Sequence, residues 1–118
     1  MKYMLLIAAR DPQQYADQDF VGREMQAYID FEKAVAEAGV KIAGEALQGV
    51  ETASTVAVAD GGDRVVTDGP FAETREILGG FYLLDVADLD AALDWAARCP
   101  GSHFGGRIEV RPIQSYDY

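Results

Sequence analysis

Strand-like and helical apolar patterns alternate along this chain, and their order limits the folds that it can adopt. The continuous apolar run "KYMLLIA" near the N-terminus predicts a buried strand. A helical spacing of apolar residues follows from about Gly22 and ends at Gly39, where a helix favours a left-handed residue. The segment "VKIAGEAL" then alternates between apolar and polar residues, which predicts a second strand. The first half of the chain is therefore predicted to be strand, helix, strand.

The second half repeats this order after an inserted hairpin. The hairpin is predicted in "TASTVAVADGGDRVVTDG", where two valine-rich runs flank an Asp-Gly-Gly-Asp turn that accepts positive φ. A further strand is predicted over "GGFYLLDVA", and Asp88 can cap a second helix over "LDAALDWAARC". The last strand is predicted over "RIEVRPI". The buried stripe of the second helix is predicted to be Leu89, Ala92, Leu93 and Ala96.

These elements predict one α+β domain and a dimer. Without the inserted β-hairpin the order is βαββαβ, the split βαβ arrangement of a ferredoxin-like fold. The 118 residues suit a single domain over 1–118. Two helices would cover one face of the sheet, and the strands are apolar on both sides, so a monomer would expose a large hydrophobic face. We therefore predict a homodimer in which two sheets pack face to face.

Composition and charge exclude several classes of protein. Hydrophobic residues make up 49% and charged residues 25%, close to the average for soluble globular proteins. A formal net charge of −10 repels phosphate backbones and argues against nucleic-acid binding. The longest apolar run, "MLLIAA", is far shorter than the roughly 18 residues that cross a bilayer, and it lacks a signal-peptide profile. We expect a cytoplasmic protein with no membrane and no nucleic-acid partner.

The only histidine and the only cysteine stand close together after the second helix. His103 is either a general base near the sheet edge or a solvated loop residue, and the absence of a second His favours the loop residue. Cys99 is expected to be a small buried residue, because a helix C-terminus raises the pKa of a thiol. One imidazole and one thiol do not make a metal site, and we predict no cofactor. A single cysteine also excludes an internal disulfide.

The segment "TDGPFAETREILGGFY", residues 67–82, can be interpreted as a corner or as a site. As a corner, Asp68 suits a turn before the proline, Phe71 would enter the core, and the glycine pair would bend the chain into the next strand. As a site, it brings carboxylates beside an arginine and a tyrosine, the ingredients of a polar pocket. Spacing alone favours the corner, since no motif with a known mechanism is matched. The candidate pocket residues are Asp68, Phe71, Glu73, Arg75, Tyr82, Glu45 and His103.

Three segments carry a family resemblance: "VTDGPFAETREILGGFYLLDVADLDAALDWAARCP", "AGEALQ" upstream of it and "EVRPI" downstream. Together they resemble the DGPF-domain branch of the YCII-related family, which is named for the tetrapeptide at residues 68–71. The resemblance covers almost the whole chain, and Glu73 completes the pattern of this branch. It implies a dimeric α+β barrel of ferredoxin-like subunits, in agreement with the order of patterns above.

The resemblance does not identify the reaction that this protein would catalyse. The YCII branch looks like a hydrolase or other acid/base enzyme, with a His on the first helix and an Asp-Pro step after the second. Here the matching helix position falls at about Gln26 or Ala27, and the Asp-Pro step has become Cys99-Pro100. His103 could replace the missing base only if its loop folds back. Genes for DGPF proteins often lie beside genes for extracytoplasmic-function sigma factors, which implies a role near regulation.

Three interpretations of the function stay open. We rank first a protein that binds an unknown small molecule in a pocket near residues 68–71, where acid/base catalysis could also take place. The alternative is a non-enzymatic regulatory or accessory module that binds a partner such as a sigma factor through its acidic surface. In the third interpretation the tetrapeptide only shapes the dimer.

Overall fold

The structure, a computed structural model, describes residues 1–9, 17–69, 77–103 and 105–116. Its helices and strands follow the predicted order. They are β1 Lys2–Ala9, α1 Gln18–Ala38, β2 Lys41–Ala46, β3 Ser54–Val58, β4 Arg64–Asp68, β5 Ile77–Asp85, α2 Leu89–Arg98 and β6 Arg107–Pro112. Short 3₁₀ turns occupy Val50–Thr52 and Pro100–Ser102. Among the described residues, no helix is both long and apolar enough to cross a membrane.

Four strands form one antiparallel sheet, in the order β2-β5-β1-β6. This order places each βαβ connection across one intervening strand, which is compatible with a ferredoxin-like α+β fold. In the central pair, Tyr3 lies opposite Leu84 and Leu5 lies opposite Tyr82. All four side chains are buried and belong to the face of the sheet that packs against the helices.

The hydrophobic core lies between that face and the two helices. Its aromatic part is centred on Phe31 of α1, whose ring meets the Tyr82 ring edge-on at 5.2 Å between centroids. The Trp95 ring of α2 meets Phe31 in the same way at 6.1 Å. Edge-to-face geometry of this kind adds to the stabilisation from buried area. The largest side chains with no exposure are Leu5, Leu84, Val35 and Cys99, which confirms the prediction of a buried cysteine.

The ends of both helices follow local capping signals. The Asp17 carboxylate accepts two backbone N–H bonds, so α1 begins before the predicted start near Gly22. The helix ends at Gly39 in a left-handed conformation, as predicted. Asp88 caps α2 through the backbone N–H of Ala91, also as predicted.

The predicted buried stripe of α2 is wrong in two of its four members. Ala92 and Ala96 are buried, whereas Leu89 and Leu93 are 48% and 46% exposed. Because the helix face toward the sheet is built from alanines, the two leucines lie at its outer flank. Trp95, which was not assigned to the stripe, packs against the core instead.

The glycine pair at 79–80 lies inside β5, as in the strand predicted over "GGFYLLDVA", and not at a bend before the strand as in the corner interpretation. The strand begins at Ile77, and its pairing with β1 shifts register opposite the glycines. The predicted bend is therefore a bulge within the central pair of strands. A Cβ atom on Gly80 would lie 2.8 Å from the backbone oxygen of Glu45, so this position requires glycine for the close approach of β2.

Strands β3 and β4 pair antiparallel as a separate hairpin. Its base is closed at Gly69, whose N–H donates to the Ala53 carbonyl at 2.8 Å. The Gly69 carbonyl in turn accepts a bond from the Thr55 hydroxyl at 2.7 Å. Gly69 has a φ of 105°, which a residue with a side chain rarely adopts. The part of the tetrapeptide that the structure describes thus terminates the hairpin.

Candidate functional site

A carboxylate on α1 joins the helix to two strands of the sheet. The Tyr82 hydroxyl donates to Glu32 Oε1 at 2.8 Å, and the Lys41 ammonium donates to Glu32 Oε2 at 2.6 Å. The Lys41 Nζ atom also lies 5.6 Å from the centre of the Tyr82 ring. Bonds to an ionised acceptor are stronger than neutral ones, so these contacts hold three side chains in one arrangement.

The environment fixes the protonation states of this group. Burial strongly raises the pKa of Tyr82, and the bond to Glu32 and its charge raise it further, so the phenol keeps its proton. Burial alone would also raise the pKa of Glu32, but the bonds from Lys41 and Tyr82 and the charge of Lys41 outweigh it. The pKa of Glu32 therefore lies below its ordinary value. Glu32 is a charged acceptor with both oxygens occupied.

Glu32 and Tyr82 line a cleft of about 770 Å³ between α1 and the β2–β5 side of the sheet. A volume of this size is typical of sites for small molecules. The helix contributes Glu24, Tyr28 and Glu32, which are spaced by four residues and so lie on one helix face. Apolar side chains line most of the remaining wall: Ile7, Val21, Met25 and Ile29.

Glu24 is the second carboxyl that the helix brings to the cleft. Burial raises the pKa of Glu24 above its ordinary value, because the apolar wall disfavours the charged form. Within the described part of the chain it has no hydrogen-bond or ion-pair partner, in contrast to Glu32. The cleft therefore contains one carboxyl that is partly desolvated and not compensated by a described neighbour.

The structure brings two of the predicted pocket residues together. Tyr82 and Glu45 both line the cleft. Asp68 is exposed at the end of β4 and is not among the described residues that line it. Three predicted pocket residues lie outside the described residues: Phe71, Glu73 and Arg75. The expected entry of Phe71 into the core lies outside them as well.

His103 lies in a different groove, of about 510 Å³, on another side of α1. Its Nε2 atom lies 2.8 Å from the carbonyl oxygen of Ala97. Because a carbonyl can only accept a bond, this ring nitrogen carries a proton. The imidazole is exposed and is separate from the cleft that contains Tyr82.

Sequence reasoning does not single out Glu24, Tyr28 or Glu32. The available signal is their spacing of four residues along α1. The same spacing is typical of an ordinary solvated helix face, so it does not by itself indicate a site. The signal becomes informative only when the sheet supplies Lys41 and Tyr82 as partners for Glu32.

Cys99 is not part of a reactive site. Burial raises the pKa of its thiol to about 11, although bonds from the Gly101 backbone and the Tyr28 side chain act in the opposite direction. A neutral, buried thiol is a poor nucleophile. Within the described residues, no group of three or more His, Cys, Asp or Glu side chains could hold a metal ion.

Comparison with known proteins assigns the family. The family model of the YCII-related domain matches residues 1–116. The chain belongs to the YCII-related family. It is similar to an uncharacterized protein of Rhizobium meliloti (strain 1021), with 52% identity over 56 residues. That match covers 47% of this chain and 45% of the relative, less than half the length of either. The family predicted from the sequence is thereby confirmed.

In this YCII-related protein, the positions that the resemblance matches to a His–Asp pair hold other residues. The Gln26 side-chain amide donates to Asp30 Oδ1 at 3.0 Å on the exposed side of α1. Ala27 and Pro100 line the same groove as His103. The imidazole thus lies in the groove that Ala27 and Pro100 line, with one ring proton bonded to a backbone carbonyl.

Proposed function

We propose that this protein binds a small molecule in the cleft between α1 and the β2–β5 side of the sheet. The observation that carries the proposal is the combination of apolar walls with one uncompensated carboxyl, Glu24. Sites for small molecules are mostly apolar and use a few convergent polar groups to orient the ligand. Here Glu24 would orient the ligand, while the Glu32–Tyr82 bond holds the helix against the sheet.

The charges favour a ligand that has an apolar body and an amine or another hydrogen-bond donor. Among the described residues, the charged side chains that line the cleft are Glu24, Glu32, Glu45 and Lys33. Glu32 already accepts two bonds, so a ligand donor is expected to meet Glu24. A cation beside Glu24 would lower its pKa and reverse the effect of burial. The binding of an amine therefore favours the charged form of Glu24.

Acid/base chemistry on a bound molecule would use Glu24 as well. A carboxyl in a cleft whose pKa is raised by burial is suited to proton transfer with a bound molecule. Tyr82 is not suited to this role, because its pKa is raised far above its ordinary value and its O–H bond is directed to Glu32. In this proposal Glu24 transfers the proton, whereas the Glu32 carboxylate has a purely structural role.

A thermal-shift comparison of three probes of similar size tests the binding proposal. The probes are phenethylamine, phenethyl alcohol and 3-phenylpropionate, which differ in the charge of one terminal group. We expect the amine to raise Tm most. At ten times its Kd a ligand stabilises the native state by about 1.4 kcal/mol, which raises Tm by several degrees.

Matched variants give this experiment its controls. Glu24→Gln should remove the preference for the amine, whereas Glu37→Gln, on an exposed position of the same helix, should keep it. Ile29→Trp, which fills the cleft from its rim, should reduce the shift with every probe. An amine shift no larger than that of the carboxylate, or one that survives both Glu24→Gln and Ile29→Trp, would contradict the proposal.

The dimer predicted from the sequence is part of the same proposal. Met4, Leu6, Phe81 and Leu83 alternate along β1 and β5 with the buried side chains that face the helices, and they are only half-buried. They form an apolar face on the other side of the sheet, called the open face below. A second sheet packed on the open face would give the dimeric α+β barrel that the resemblance implies. Sedimentation that shows only monomer at micromolar concentration would contradict this dimer.

The regulatory alternative stays a prediction from the resemblance, as does a cytoplasmic location. Co-purification with a stoichiometric protein partner, combined with no response to any probe of the cleft, would favour the regulatory role. The interpretation in which residues 68–71 only shape the dimer predicts that Gly69→Ala changes association and leaves the thermal shift with the amine intact.

A further inference from the structure

The β3–β4 hairpin, residues 54–68 and called the arm below, forms a two-stranded sheet of its own. An isolated hairpin is at best marginally stable in water, so it needs a surface against which it can pack. In the part of the chain that the structure describes, no helix and no strand of the larger sheet makes an extensive contact with the arm. A covering surface for the arm must therefore come from elsewhere.

One face of the arm is apolar. Val56 pairs with Val66, and Val58 pairs with Arg64 one step nearer the turn. Because side chains two residues apart share a face of a strand, the three valines form one continuous patch. Val56 is 57% exposed, Val66 is 53% exposed and Val58 is 65% exposed. Such a patch on an otherwise unsupported hairpin is typical of an interaction surface.

The chain exposes more surface than a compact monomer of its size, so surface is available for such an interaction. Its accessible surface is 8515 Å², whereas a folded monomer of 12.8 kDa is expected to expose about 6,300 Å². Its radius of gyration is 16.5 Å, against about 13.5 Å for a compact domain of this length. The excess of about 2,200 Å² is larger than the roughly 800 Å² that each partner contributes to a standard interface. An interface can therefore include both the open face and the arm.

The arm is acidic, whereas the β6 edge of the open face has an excess of one basic residue. The arm has two net negative charges, from Asp60, Asp63 and Asp68 against Arg64. Register with β1 places the alternate residues of β6 on the open face. The charged residues of β6 on that face are Arg107, Glu109 and Arg111, which give one net positive charge, while Lys2 of β1 lies opposite Asp85 of β5. In a chain with a net charge of −10, this basic edge can attract the acidic arm of another copy.

We propose that the arm packs on a second copy of this chain, with its valine patch and acidic turn against the β6 edge of the open face. The second copy returns the same contact, as expected for an interface with twofold symmetry. The inference rests on the proposed homodimer, and its new part is that the arm of each subunit contacts the other subunit. A second copy is the occupant because the complementary charges and the excess surface both belong to this chain.

Charge reversal tests the contact. An arm variant carries Asp60→Lys with Asp63→Lys, and an edge variant carries Arg107→Glu with Arg111→Glu. We expect each variant alone to raise the Kd of the dimer at least tenfold in sedimentation equilibrium. A mixture of equal amounts of the two variants should recover a dimer, because each arm then meets an edge of opposite charge. A control with Glu37→Lys and Asp94→Lys, exposed positions on the two helices, changes the net charge by the same amount as the arm variant and should dimerise like the wild type.

A second variant tests the valine patch. Val56→Thr with Val66→Thr keeps residues that favour strands but replaces two methyl groups of the patch by hydroxyls, and it should also weaken the dimer. A wild-type chain that is monomeric overturns the homodimer and the arm contact together. A dimer that neither the arm variant nor the valine variant weakens overturns the arm contact and leaves the packing of the sheets intact. Weakened variants that do not recover on mixing overturn the assignment to the β6 edge.

Discussion

Among single residues, Glu32 carries the main polar connection between helix and sheet. We predict that Tyr82→Phe lowers the free energy of unfolding at pH 7 by about 1 kcal/mol, the value for a hydrogen bond to a partly exposed charged group. The pKa of Glu32 is below its ordinary value in the folded state, so the unfolded chain binds this proton more readily. The stabilisation is therefore present above the unfolded pKa and is lost as the pH falls through the folded pKa.

Urea denaturation at several pH values measures this effect. The difference between the wild type and Tyr82→Phe should be largest at neutral pH and should shrink on acidification, once Glu32 is protonated in both states. Tyr3→Phe is the matched control, because Tyr3 is also buried but its hydroxyl is directed to the Met1 sulfur at 3.8 Å. A difference for Tyr82→Phe that does not depend on pH would show that Glu32 is not its energetic partner.

The residues of the site show what sequence reasoning can and cannot supply. Tyr82 and Glu45 are chosen from the sequence and do line the cleft, because both stand on apolar strands beside charged neighbours. The partner of Tyr82 is Glu32, which is 50 residues away along the chain. No local pattern encodes a bond over that separation, so the sequence cannot distinguish Glu32 from the solvated glutamates of the same helix.

At the scale of elements, the two adjacent glycines of β5 have different surroundings, although they look alike in the sequence. A Cβ on Gly80 would lie 2.8 Å from the Glu45 oxygen, whereas a Cβ on Gly79 would have the Ile7 oxygen at 3.8 Å as its nearest neighbour. We predict that Gly80→Ala lowers the free energy of unfolding by about 1–3 kcal/mol, because β2 must move away from β5. Gly79→Ala should change it by no more than about 0.5 kcal/mol.

Thermal or urea unfolding of the two variants side by side measures this difference. Each substitution adds one methyl group and reduces the freedom of the unfolded backbone equally, so the difference reports only on the folded state. Equal stability of the two variants would contradict the close approach of β2 and β5.

The elements themselves divide into those set by local signals and those set by packing. The caps at Asp88 and Gly39 are predictable, because a carboxylate that accepts N–H bonds and a left-handed residue act within one turn. The exposure of Leu89 and Leu93 is not predictable in this way. Which side of α2 meets the sheet depends on the fit of its alanines against the core, and helical periodicity alone favours the larger side chains.

For the whole molecule, the order of strand and helix patterns was sufficient to predict the α+β class, whereas the family was predicted from the resemblance of residues 66–100 and their flanking segments. That order follows from apolar periodicity, which each segment carries within itself. The relation between copies of the chain is different, because it depends on surfaces that only the assembled sheet creates. The open face and the basic edge of β6 exist only once β6 pairs with β1. The sequence therefore predicts a dimer in general terms but does not suggest the contribution that we propose for the arm.

A dimer whose folding requires association makes a prediction for the whole molecule. We predict that Tm rises by about 5 °C when the protein concentration is raised from about 1 to 100 μM, because mass action adds about 2.7 kcal/mol per dimer. Differential scanning calorimetry over this range measures the rise. Leu83→Asp, which places a charge on the open face, should give a monomer whose Tm does not depend on concentration. A wild-type Tm that is equally independent of concentration would exclude a dimer that dissociates on unfolding.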